Sequence, residues 1–70
     1  MQRVPVVSSN VVSVGYEQED KSLFVEYRGG SVYKYEAVPL EYYRALMESP
    51  SKGRWVRSQL VGKFKATRIL

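Results

Sequence analysis

Six basic side chains and no acidic one lie between Lys52 and Leu70: Lys52, Arg54, Arg57, Lys63, Lys65 and Arg68. Ammonium and guanidinium groups at this density neutralise phosphates and release counterions, so the chemistry they suit is salt-dependent binding of a polyanion. The preceding stretch has the opposite balance. Residues 1–51 carry five basic side chains (Arg3, Lys21, Arg28, Lys34, Arg44) against all seven acidic ones, a net charge of −2, whereas the remainder carries +6. Such asymmetry speaks to partners rather than to fold. It points to RNA or another polyanion.

Other chemistries have poor material here. The chain holds no histidine and no cysteine, which removes disulfides, thiolate zinc sites and imidazole ligands together. No metal and no cofactor is expected. The serines have no histidine to act as base. Glu17, Glu19 and Asp20 fall in a charged turn, where carboxylates are solvated rather than tuned for acid–base work. Pro50-Ser51-Lys52-Gly53 has a superficial likeness to a phosphate loop but lacks the glycine spacing that lets backbone amides cradle phosphates. A helix starting at Ser51 still offers free amides to an anion, with Lys52 and Arg54 beside them. The expectation is a binding module, not an enzyme.

The elements that must position these groups are legible from periodicity. Val11–Glu17 reads as a first strand, with Val12, Val14 and Tyr16 on one side and Val11, Ser13 and Gly15 on the other. Residues 17–21 form a polar turn. Ser22–Arg28 alternates clearly, with Leu23, Val25 and Tyr27 opposite Phe24, Glu26 and Arg28. Gly29-Gly30 is a two-residue hairpin signal, since both central positions of a type I′ turn need positive φ. Ser31–Ala37 follows as a third strand, with Tyr33, Tyr35 and Ala37 on one face.

Pro39 opens a helix whose apolar arc holds Leu40, Tyr42, Tyr43, Leu46 and Met47. Pro50 stops it. Ser51 is a suitable N-cap for a second helix over about residues 53–61, with Trp55, Val56 and Leu60 inward and Gly62 as its stop. Residues 64–69 form a fourth short strand or an ordered tail. The fold class is therefore α+β: a three-stranded antiparallel meander packed against two helices, βββαα or βββααβ, in a single domain over residues 1–70. Leu23, Val25, Tyr27, Tyr33, Tyr35, Leu46, Trp55 and Leu60 should share one core. Phe24 and Val32 are left as the exposed candidates on the other sheet face. The N-terminal Val-rich stretch, broken by Pro5, Ser8, Ser9 and Asn10, is too short and polar for a signal peptide or a membrane span. A soluble, cytoplasmic chain with no membrane partner is expected.

Read in order, several features form a pattern: Ser8-Ser9, Gly15-Tyr16, Tyr33-Lys34-Tyr35 after the glycine hairpin, Val38-Pro39, Tyr43, Ser51-x-Gly53, and Trp55 with Leu60 five residues on. This pattern resembles the KTSC domain, which occurs at the C-terminus of some lysyl-tRNA synthetases and as a free-standing bacterial or phage-type protein. The resemblance covers about residues 7–69. It implies the fold above, and RNA binding is the activity it suggests. One position departs: Arg57 stands where the family often has a short polar residue such as Asn.

Two functional readings result. One is an RNA-binding module acting through Lys52, Arg54, Arg57, Lys63, Lys65 and Arg68. The other is a protein-interaction module of a bacterial or phage system, using a sheet edge or the Phe24–Val32 face.

Overall fold

A computed structural model describes residues 3–70. Its elements run β1 (Val4–Pro5), β2 (Val11–Glu17), β3 (Ser22–Tyr27), β4 (Val32–Tyr35), α1 (Leu40–Glu48), α2 (Lys52–Gln59) and β5 (Ala66–Arg68). All five strands pair antiparallel in the order β1-β2-β3-β4-β5. The α+β class stands, but the sheet has five strands rather than three or four. The added strand is β1, which pairs Val4 with Val14 and Pro5 with Ser13. Proline cannot donate to a ladder, which confines it to a sheet edge, and that is where Pro5 lies. The final strand is realised as β5, shorter than residues 64–69 and paired with β4.

Cross-strand partners share a face, so the register sorts the sheet. Val14, Val25 and Tyr33 form one row toward the helices, and Tyr16, Leu23 and Tyr35 form another. Val11 joins this face opposite Tyr27, because Val12 is an extra residue between the Val11–Tyr27 and Ser13–Glu26 pairs. The strict alternation expected for β2 placed Val11 outward. The bulge reverses that, and Val11 is fully buried. A bulge shifts the side-chain phase by one residue, which moves everything before it to the other face.

The core gathers Val11, Val14, Leu23, Val25, Tyr35, Val38, Leu46, Val56 and Leu60. Tyr27, Tyr33 and Trp55, expected to share it, are only partly buried and pack against it. The α1 wheel holds as read: Leu46 is buried, while Glu41, Arg44, Ala45 and Glu48 are exposed. On the opposite sheet face Val32 is 1% exposed, not the open contact residue expected. Ile69 N–H donates to the Val32 carbonyl at 2.8 Å, so the chain beyond β5 runs alongside the start of β4.

Both hairpin glycines take positive φ, 105° at Gly29 and 99° at Gly30. The loop is nevertheless not a two-residue turn. Tyr27 N–H donates to Ser31 O at 2.8 Å and Gly30 N–H to Tyr27 O at 3.0 Å, which encloses Arg28, Gly29 and Gly30.

Ala37, between β4 and α1, also has φ of +58°. A side chain there costs about 1–2 kcal/mol, partly offset by the entropy that glycine loses on folding. Ala37→Gly is expected to raise stability by about 0.5–1 kcal/mol, read as a higher urea midpoint. An unchanged or lower midpoint would show that the turn carries no strain.

Candidate functional site

The helices do not cover the whole inner face of the sheet. Beside α2 and toward β5 they leave an open trough of about 380 Å³, lined by Tyr27, Tyr33, Tyr35, Val61 and Ala66. It continues past Tyr27 and Val61 into a smaller cleft of about 190 Å³, which Asn10, Gly53 and Arg57 help to line. The trough is floored by tyrosines because β3 and β4 place Tyr27, Tyr33 and Tyr35 on one face. Their geometry is mutually fixed. The Tyr27 and Tyr35 hydroxyls are hydrogen-bonded at 2.7 Å, and Tyr27 and Tyr33 meet edge to face with centroids 5.7 Å apart. Burial, followed by the bond to Tyr35, pushes the Tyr27 phenol far above its ordinary value.

The inner end is built from the segment before β2. Ser8 Oγ accepts from the backbone N–H groups of Asn10 and Val11, each at 3.3 Å. The Arg28 guanidinium clamps the same segment, donating through Nε to Ser9 O at 2.8 Å and through Nη2 to Ser8 O at 3.2 Å. This holds Asn10 against the start of α2. A Cβ on Gly53 would lie 3.4 Å from Asn10 Cβ and 3.8 Å from Ser8 Oγ, so glycine lets the helix approach this closely.

The six basic residues do not form one patch. Lys52 turns back to the end of α1, where its Nζ donates to Met47 O at 3.0 Å and Ser49 O at 2.6 Å. It caps carbonyls that a helix end leaves free, at the negative end of the dipole, and this takes it out of the solvent-facing set. Arg54 borders a separate cleft with Pro50, Trp55 and Ser58. Arg57 lines the trough's inner cleft. Lys63 is exposed in the turn after α2. Arg68 pairs with Tyr33 and so lies on the trough face, with its Nε bonded to Leu70 O at 2.7 Å. Lys65, just before β5, is exposed. Ser51 occupies the N-cap of α2 but makes no side-chain capping bond. Instead its N–H donates to Ser49 Oγ at 3.2 Å.

The arrangement thus joins Arg57 and Arg68 to an aromatic trough, beside Asn10 and Arg28. Charge counting missed Asn10 because it is uncharged, and Arg28 because it belongs to the net-acidic part of the chain. Only the Ser8-Ser9 motif hinted at that segment. Glu17, Glu19 and Asp20 lie at the Ser22 end of β3, the opposite end from Tyr27.

The sequence profile of the KTSC domain matches residues 7–64. The chain belongs to the KTSC domain family. The KTSC fold also appears in the crystal structure of a KTSC domain protein from Yersinia pestis, 36% identical, with a TM-score of 0.93 over 99% of this chain and 97% of that one. An uncharacterised protein of Stutzerimonas stutzeri is 48% identical over 54 residues, covering 77% of this chain and 76% of its own. A lysine–tRNA ligase of Trichormus variabilis is 42% identical over 54 residues, but the matched part is 10% of that enzyme. Among the described residues no helix is long and apolar enough to cross a membrane.

Proposed function

We propose that this KTSC domain is a non-enzymatic module that binds single-stranded RNA through the basic end of its helix-bearing face. The observation that carries the reading is the association of Arg57 and Arg68 with an aromatic trough whose lining contains no carboxylate. Guanidinium groups suit phosphate, and exposed aromatic surface suits unstacked bases. The domain's occurrence as a small part of a lysine–tRNA ligase, an enzyme that acts on a tRNA, is consistent with an RNA partner. Burial of Val32 removes one of the two residues of the Phe24–Val32 face from the protein-binding alternative, whose sheet edge is unaffected.

Fluorescence anisotropy against single-stranded RNA, tRNA and duplex DNA over a salt series tests the reading. Each phosphate contact contributes about 0.7 to the log–log salt slope on a single strand. Replacing Arg54 and Arg57 with Gln should weaken binding and flatten the slope by about 1.4 if both reach phosphate. Both are exposed on α2, so the fold should persist. Lys21→Gln, in the acidic turn, should change little. No salt-dependent association at low salt would end the RNA reading and favour a protein partner.

A further inference from the structure

We infer that the trough between α2 and β4–β5 is a subsite for one unpaired nucleobase, an inference that rests on the RNA-binding reading above. Its floor and walls fit a flat aromatic ligand. Tyr33 and Tyr35 come from β4, Ala66 from β5 and Val61 from the turn after α2, and together they leave an apolar slot. Base–aromatic stacking needs such a surface and tolerates any base, since every base has a π-face.

Two of the three floor hydroxyls, those of Tyr27 and Tyr35, are paired with each other. That bond uses one of their two hydrogens, so the pair's other O–H and the Tyr33 hydroxyl stay available to a ligand. A further partner for a base edge is Asn10 at the inner end, an exposed carboxamide with both donor and acceptor groups. Arg57 lines the adjoining inner cleft and Arg68 lies beside Tyr33 on the same sheet face, where phosphates on either side of the base would pass. An apolar peptide would have no use for these guanidinium groups, and an acidic peptide none for a tyrosine floor. A nucleotide uses both.

The other aromatic candidate is weaker. Trp55 and Tyr42 border a cleft of about 280 Å³, but Glu41 lines it as well and repels phosphate. On the reverse sheet face, Val32 is buried and Phe24 has no exposed aromatic neighbour.

The test is an NMR titration of the isotopically labelled chain with octauridylate and with an abasic oligoribose phosphate of equal length. The amides of Gly53, Val61 and Ala66 should shift with octauridylate and much less with the abasic strand. Tyr33→Ala should weaken octauridylate binding about ten-fold, in line with the loss of one stacked base, while the salt slope stays as in the parent. Tyr33→Phe should retain affinity. Ala66→Leu, at an exposed edge position, fills the slot without touching the core and should mimic Tyr33→Ala. Equal affinity of the two strands, or unmoved trough amides during salt-dependent binding, overturns the base subsite and leaves the RNA reading in place. Absence of any RNA binding removes both.

Discussion

Leu46→Ala is expected to destabilise the domain by about 3–4 kcal/mol, the cost of deleting a fully buried leucine whose surroundings collapse only in part. Leu46 is the one buried residue of α1 and packs in the same cluster as Leu23 and Leu60. Small domains have about 0.05–0.15 kcal/mol of stability per residue, so this single change removes a large share of what holds 70 residues together. Trp55→Ala should cost less, about 2 kcal/mol, although it deletes more atoms. Its indole is only partly buried, at the rim, where it meets Tyr42 edge to face at 6.0 Å. Urea unfolding followed by circular dichroism gives both values. A larger loss for the tryptophan would mean that the core is centred on α2's outer side rather than on Leu46.

Above pH 10 the domain should lose stability, with the half-buried Tyr27 phenol as one cause. Burial holds its phenol far above the ordinary value of 10.0, helped by the bond to Tyr35. The sign follows from proton binding. The unfolded chain releases the Tyr27 proton near pH 10, and the folded chain keeps it, so stability is full below pH 10 and falls as pH rises past it. One such group contributes at most about 1.4 kcal/mol per pH unit. Tyr27→Phe should make the decline between pH 10 and 11.5 shallower. Near neutrality it should cost about 1 kcal/mol for the bond lost by Tyr35. Tyr16, whose phenol is also raised by burial and by Glu41, remains in both proteins, so some alkaline loss persists. Parallel curves for parent and Tyr27→Phe would show that the phenol is reached by solvent.

The middle of the fold could be read directly. Leu23, Val25, Tyr27, Tyr33 and Tyr35 alternate cleanly, and α1 separates its apolar and charged positions without exception. The Val12 bulge was hidden because Val11, Val12 and Val14 are all valine, so either phase of the strand looks acceptable. β1 was hidden by Pro5, which argues against a strand except at an edge. The site was the least legible part. Charge counting found Arg57 and Arg68, but it also included Lys52, whose amine is spent on the carbonyls of α1. It passed over Asn10, which meets Gly53 only through folding across more than forty positions of sequence.

The strand order carries a consequence for how the domain assembles. Strands β1 to β4 follow one another in space as in sequence, so each pairing closes a short loop and can form early. β5 is different. It reaches its place next to β4 only after both helices have intervened, and its pairing closes the longest loop in the sheet. Loop closure costs entropy before any contact offsets it, and β5 has three exposed residues to offset it with. The sheet should therefore nucleate as a four-stranded meander and be completed from its β5 edge last. The outer wall of the trough, Ala66, arrives with that final strand and would be the first part to open again.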